Sequence, residues 1–196
     1  MNLIKLSFST LALSTLLFAG NYKIDSSSTK ASFLVKYLNN EEIKGEFGEI
    51  TGSFVYDDKK SNISKMDAKI KLDSLDMKKD DFKAYILSEK IFDTKKYPEI
   101  KFTATKIEED RVFGDLTIKN VTKNIELDFE NSGDFFGKIY LKISGKIKRS
   151  YFDLTWDELL DIGSSAVSND IIIDIDVLAE KEEDIKFTKI FEKTKK

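Results

Sequence analysis

Regular alternation of apolar and polar residues is the feature of this sequence that most limits its fold. Between residues 138 and 148, apolar residues or glycine occupy the odd positions and mainly lysine the even ones. Residues 170–179 alternate in the same way, with isoleucine or valine opposed mainly by aspartate. A period of two places successive side chains on opposite faces of a β-strand. Because each strand has one dry and one wet face, the pattern indicates antiparallel pairing.

This or a weaker strand pattern recurs along most of the chain, in residues 31–37, 43–54, 66–72, 100–107, 112–118, 121–130, 139–147 and 171–179. The phase of the second segment jumps near Gly48, which predicts a bulge or a sharp bend. About eight long antiparallel strands with one dry face close most simply into a β-barrel, so the predicted fold class is all-β. A single helix is predicted from Lys79 to Phe92, where alternation stops.

The N-terminal segment predicts export. The uncharged run Leu6–Ala19 follows one lysine and ends in small residues. It is shorter than the roughly twenty residues of a membrane-spanning helix. Residues 1–19 are therefore interpreted as a signal peptide, cleaved after Ala19 or Gly20, which predicts a periplasmic protein without a stable membrane span. An uncleaved anchor and a core helix are the alternatives. Residues 20–180 form the predicted barrel domain, and residues 181–196 form a charged C-terminal tail.

Composition excludes several classes of function. The chain has no cysteine and no histidine, which removes disulfides, thiolate catalysis and the usual ligands of a transition metal. No metal and no cofactor is expected. The net charge of −3, with interleaved signs, predicts no nucleic-acid partner.

Without cysteine and histidine, catalysis by carboxylate, lysine or tyrosine side chains remains possible. Asp153, Asp157 and Asp161 recur every four residues around Trp156, a spacing interpreted as a solvated loop in preference to a cation site. A carboxylate enzyme would need two acids in one pocket with separated pKa values, and the sequence places no such pair.

Phenylalanine is abundant, with 15 residues against one tryptophan. Many of these phenylalanines fall on or beside the predicted dry faces. They are consistent with a barrel filled by its own side chains and equally with a barrel that encloses an apolar cavity. The pattern alone leaves both alternatives open.

Short motifs in a fixed order resemble the YceI-like family of bacterial periplasmic proteins, over roughly residues 22–180. The motifs are Tyr22-Lys23-Ile24-Asp25, Gly45-Glu46-Phe47, Gly52-Ser53-Phe54, Ile91-Phe92-Asp93, Tyr97-Pro98-Glu99-Ile100-Lys101-Phe102, Gly114-Asp115-Leu116-Thr117-Ile118, Val121-Thr122-Lys123 and Arg149-Ser150-Tyr151-Phe152. Their order along the chain makes the resemblance specific. At three places where the family often carries histidine, this chain has Ser28, Tyr37 and Tyr85.

The resemblance implies a lipocalin-like barrel closed at one end by the helix. It also implies a non-enzymatic binding or carrier protein for a long isoprenoid lipid, either a polyprenyl lipid or a quinone, with no catalytic residues. The candidate apolar lining is Val35, Phe47, Phe82, Phe92, Phe102 and Phe152. A structural or stress-response protein with a filled barrel and a carboxylate-dependent enzyme are the alternative functions, and a homodimer is left open.

Overall fold

The computed structural model of the chain describes residues 19–37, 41–156 and 167–182. These residues form eleven strands, the helix α1 (Asp80–Leu87) and 3-10 turns at Leu72–Ser74 and Arg149–Phe152. The strands are β1 (Ala19–Ile24), β2 (Lys30–Tyr37), β3 (Glu41–Phe47), β4 (Ile50–Asp57), β5 (Asn62–Lys71), β6 (Leu75–Asp76), β7 (Glu99–Ile107), β8 (Arg111–Ile118), β9 (Val121–Phe135), β10 (Lys138–Lys148) and β11 (Val167–Lys181).

The strands close into an antiparallel barrel with eight positions. The order around the ring is β1, β4, β5, β7, β8, β9, β10 and β11, and β11 pairs back with β1. The three remaining strands continue the sheet from β11. β2 pairs with β11 beside β1, β3 pairs with β2, and β6 pairs with β3. The predicted all-β antiparallel barrel of about eight strands with one helix is confirmed.

The bend predicted near Gly48 separates β3 from β4. Ile43 and Phe47 are buried before the bend, and Ile50 and Phe54 are buried after it. Two residues between the strands therefore shift the alternation by one position and keep the apolar side chains inside. The bend also lets the chain pair with β2 along one half and with β1 along the other.

The two ends of the barrel are built differently. The turns that join β4 to β5, β7 to β8 and β9 to β10 lie together at one end, which we call the closed end. The helix α1, the turn between β8 and β9 and the segment that follows β10 lie at the opposite end, which we call the capped end. The core cluster of buried side chains is continuous from one end to the other.

The helix is shorter than the predicted range of residues 79–92. Ser88 ends α1, because its backbone is extended and both its N–H and its hydroxyl donate to the Tyr85 carbonyl. Such local hydrogen bonds compete with continuation of a helix. Residues 88–98 form turns instead, and the Phe92 N–H donates to the Ile86 carbonyl at 3.1 Å, so Phe92 stays packed against the helix.

The predicted signal peptide and C-terminal tail lie almost entirely outside the described residues, and both stay predictions. Within the described part of the chain, none of the helical segments has the length and apolar character required to cross a bilayer.

Candidate functional site

The barrel interior contains an apolar cavity of about 150 Å³. Strands from all sides of the barrel line it, together with α1 and the segment after β10. The lining consists of alanine, valine, leucine, isoleucine, methionine and phenylalanine, with Ser32 and Trp156 as the two exceptions. The cavity follows from the alternation, because every second residue of each strand points inward.

Three inward-facing residues of β11 are less deeply buried than their neighbours on β10. Ile171, Ile173 and Ile175 point inward but are only partly buried. On the neighbouring strand β10, the inward residues Ile139 and Leu141 are buried. Partial exposure of an inward-facing side chain means that part of its surface faces empty space, so these isoleucines have room to change rotamer.

An aromatic cluster seals the closed end. The Tyr22 ring stacks on Phe54 with centroids 5.5 Å apart and lies edge-on to Tyr56 at 5.9 Å. All three side chains are buried, and Phe54 also forms the floor of the cavity. Offset and edge-on aromatic pairs stabilise beyond the area that they bury, so this end is a firm wall.

Tyr22 is also tied to the hairpin between β9 and β10. Its hydroxyl donates a hydrogen bond to the Asp134 carboxylate, which also accepts the Gly137 N–H at 2.9 Å. Burial raises the pKa of the Tyr22 hydroxyl, and the hydrogen bond to Asp134 raises it further. Burial opposes ionisation of Asp134, but the hydrogen bonds from Tyr22 and Gly137, together with the positive charge of Lys181, outweigh it and lower the pKa of that carboxyl.

The capped end is covered by side chains that do not belong to barrel strands. Ile86 from α1, Phe92 from the following turns, and Leu154 and Trp156 from the segment after β10 line the cavity there. The Arg149 guanidinium anchors that last segment, because it donates to the carbonyls of Leu154 and of residue 168 at 3.0 and 3.1 Å. The cap is therefore held by packing and side-chain hydrogen bonds.

The cavity offers no group for acid–base or nucleophilic chemistry among the described residues. None of its lining side chains is titratable. The Ser32 hydroxyl lies 3.5 Å from a carboxylate oxygen of Glu46 on the outer surface. No group of three or more potential metal ligands occurs in residues 19–37, 41–156 and 167–182. The arrangement is suited to holding an apolar molecule.

Four of the six predicted lining residues, Val35, Phe47, Phe92 and Phe102, border the cavity. Phe102 lies against Gly114 of β8, where an added Cβ would sit 2.3 Å from the ring. The glycine of the Gly114–Ile118 motif therefore makes room for a phenylalanine of the cavity wall. Contact of any of these residues with a ligand stays a prediction.

The other two predicted residues lie elsewhere. Phe82 borders an open groove outside the barrel, 6.3 Å from the Tyr37 ring, because α1 turns Ile86 to the interior instead. Phe152 is fully buried but lies in the 3-10 turn after β10, which packs against β9, β10 and β11 at the barrel end. The sequence pattern places Phe82 on the helix and Phe152 beside a dry face, and neither position determines whether the side chain reaches the cavity.

Trp156 is a lining residue that sequence reasoning missed. It follows Asp153 in a segment interpreted as a solvated loop, yet its ring is buried and borders the cavity. Asp153 is exposed, as a loop residue would be, while Asp157 and Asp161 lie outside the described residues. The available signal was the single tryptophan of the chain, placed two residues after a leucine.

Comparison with known proteins agrees with this architecture. The YceI-like domain family matches residues 22–179. UPF0312 protein plu2095 of Photorhabdus laumondii is 33% identical over 174 residues, which cover 83% of this chain and 88% of the relative.

Solved structures give the same result. The crystal structure of a YceI protein from Campylobacter jejuni is 30% identical with a TM-score of 0.66, over 76% of this chain and 90% of that one. A polyisoprenoid-binding domain from Saccharophagus degradans shares the fold at 14% identity, with a TM-score of 0.67 over 82% and 98% of the two chains. The family match spans most of the chain, and the chain therefore belongs to the YceI-like family.

Proposed function

We propose that this protein is a non-enzymatic periplasmic carrier that holds a long isoprenoid-type lipid, a polyprenyl lipid or a quinone, inside its barrel. The observation that carries the proposal is the cavity in the barrel interior, whose described lining is apolar and lacks titratable groups. The domain from Saccharophagus degradans that shares the fold is described as polyisoprenoid-binding, which supports this class of ligand. Burial of apolar ligand surface would supply about 25 cal/mol per Å² before ordering costs.

The size of the cavity sets a condition on this function. Its volume of about 150 Å³ resembles that of dry apolar cavities that bind a benzene-sized molecule. A long isoprenoid chain is several times larger, so lining side chains must move aside to admit it. The partly buried side chains that border the cavity, among them the isoleucines of β11, have room to do so. A barrel with a purely structural role does not need to expand. Expansion of the cavity on ligand binding therefore distinguishes the carrier from the structural alternative.

The direct test is mass spectrometry of lipids extracted from the protein after purification from its native host. The carrier should release an isoprenoid lipid in a fixed molar ratio. A preparation without lipid, which also fails to bind polyprenyl lipids saturably in solution, would establish the structural alternative.

A pair of variants tests the site. Phe102 borders the cavity, whereas Lys69 of β5 is exposed on the outer face. Phe102→Asp puts an uncompensated charge into the apolar interior and should weaken binding of a fluorescent polyprenyl lipid at least about tenfold. Lys69→Ala should leave the affinity unchanged. Circular dichroism first establishes that both are folded, and equal affinities in the folded proteins would reject this part of the site.

A third variant avoids a buried charge. Ala68 borders the cavity next to Phe102, and Ala68→Leu fills part of the empty volume with apolar atoms. The variant should keep its thermal stability and still bind the lipid more weakly. Unchanged affinity would show that the ligand does not use this volume.

Export has its own test. The apolar run ending at Ala19 predicts cleavage after Ala19 or Gly20. N-terminal sequencing of the protein from its native host should begin at Gly20 or Asn21. A mature protein that begins at Met1 would reject export by this route.

A further inference from the structure

Trp156 combines burial with an unsatisfied hydrogen-bond donor. The side chain is 4% exposed and borders the cavity. Its Nε1 has no hydrogen-bond partner among the described residues. The indole N–H can only donate, and a buried donor without an acceptor destabilises the folded protein. Because Trp156 borders the cavity, a ligand that moves the lining side chains aside can supply the acceptor that the buried Nε1 lacks.

The rest of the described lining offers no competing polar group. Ser32 is the one other lining residue with a polar side-chain group, and its hydroxyl lies within hydrogen-bond distance of Glu46. The indole N–H is therefore the single unpaired polar side-chain atom of the described lining. In surroundings this apolar, one donor has a large effect on which ligand is preferred.

The position of Trp156 gives the site a direction. It lies at the capped end, in the segment that the Arg149 guanidinium anchors through the Leu154 carbonyl. Phe54, at the far side of the cavity, belongs to the aromatic cluster of the closed end. A ligand acceptor beside Trp156 would leave the apolar remainder pointing toward Phe54.

We infer that Trp156 selects lipids that carry a hydrogen-bond acceptor oxygen, and that this oxygen binds at the capped end while the apolar chain extends toward the closed end. The inference rests on the proposed carrier function and adds the chemical class of the ligand. A ketone or quinone carbonyl is sufficient, because the site supplies the proton donor. A pure hydrocarbon leaves the indole N–H unpaired and binds less well for that reason.

The test compares two ligands and two proteins. The ligands are a tetraprenyl ketone and the hydrocarbon with the same carbon skeleton, and the proteins are the full chain and Trp156→Phe. The substitution keeps an aromatic ring and removes the N–H. The ratio of the two dissociation constants should shift by about tenfold toward the hydrocarbon in Trp156→Phe. Differences in ligand solubility cancel in this comparison, as in a double-mutant cycle.

A control variant changes the wall without touching the donor. Phe47 borders the same cavity, and Phe47→Leu should raise the dissociation constants of both ligands by a similar factor. An unchanged ketone-to-hydrocarbon ratio in Trp156→Phe would overturn the inference while leaving the carrier function intact. Absence of binding for both ligands to the unmodified protein would overturn the carrier function, and the inference with it.

A spectroscopic readout does not depend on the affinities. The chain has one tryptophan, so a proton–nitrogen correlation spectrum contains one indole signal and needs no assignment. The ketone should move the indole proton downfield, as a new hydrogen bond does, and the hydrocarbon should not. An indole proton already at a hydrogen-bonded position in the ligand-free protein, or one that responds equally to both ligands, would contradict the inference.

Discussion

The two ends of the barrel are closed by different kinds of structure. At the closed end, Tyr22, Phe54 and Tyr56 lie on strands that are hydrogen-bonded into the ring, and their rings pack on one another. At the capped end, Ile86 and Trp156 lie on segments outside the barrel strands, and they cover the cavity through side-chain packing.

Because of this difference, the closed end contributes mainly to the stability of the barrel, and the capped end controls access to the cavity. A residue on a strand ladder cannot move away without breaking backbone hydrogen bonds, whereas a short helix or a turn can move and leave the ladder intact. The closed end is therefore the stable floor of the barrel, and we expect ligand exchange to occur at the capped end. The expected outcomes below compare the two ends, from the largest effect to the smallest.

Phe54→Ala should have the largest effect. The side chain is 1% exposed and stacks on Tyr22. Truncating a buried phenylalanine in a well-packed site costs about 3–5 kcal/mol of unfolding free energy. Urea denaturation of the variant measures this loss. A much smaller loss would show that the packing at the closed end contributes less to stability than the contacts of Phe54 indicate.

Phe92→Ala is the matching change at the capped end. Phe92 borders the cavity from a turn, and a turn can collapse toward the vacated space, so we expect a loss of about 2 kcal/mol. The same variant should release a bound polyprenyl lipid faster, which stopped-flow fluorescence measures. Faster release from Phe54→Ala than from Phe92→Ala would reverse the assignment of the two ends.

Tyr22→Phe removes only the hydroxyl that bonds to Asp134. The variant should lose about 1 kcal/mol at neutral pH. Because the folded-state pKa of Tyr22 is raised, the stability that the hydroxyl contributes is complete below the unfolded pKa of about 10 and declines as the pH rises past it. The difference in unfolding free energy between the parent protein and Tyr22→Phe should therefore become smaller above that pH. Tyr140→Phe, at an exposed position, is the control, and its stability should match the parent protein.

Asp134→Asn should give the smallest effect, below about 1 kcal/mol, because the carboxylate is exposed to solvent on one side. The folded-state pKa of Asp134 is lowered. Its contribution is therefore present above the unfolded pKa of about 4 and disappears as the pH falls through the folded value. Urea denaturation near neutral pH should show that Asp134→Asn is less stable than the parent protein. In strong acid the two proteins should have the same stability.

The alternation carried most of the information about the barrel. Leu141 and Ile143 of β10 are inward and buried as their odd positions predict, and the phase jump at Gly48 located the bend. These predictions succeed because a residue on a barrel strand has only two faces to choose from.

The cap was predicted less well, for a physical reason. Ser88 ends the helix through a hydrogen bond to Tyr85 that no periodicity reveals. Phe82 faces a groove instead of the cavity, because α1 turns Ile86 to the interior. Trp156 is buried, although Asp153, Asp157 and Glu158 lie close to it in the sequence. Tertiary packing decides the positions of such segments, and a local pattern contains little of it.

The closure of the ring has a consequence for how the chain reaches its folded state. β11 pairs with β10 on one side and with β1 and β2 on the other. The Thr29 hydroxyl completes this junction, because it both donates to and accepts from the Leu178 backbone across 149 residues of sequence. Contacts between such distant residues form slowly, since the intervening chain must lose its freedom first. A growing chain that lacks β11 therefore cannot close the barrel, so the ring forms only after nearly all of the described residues are available.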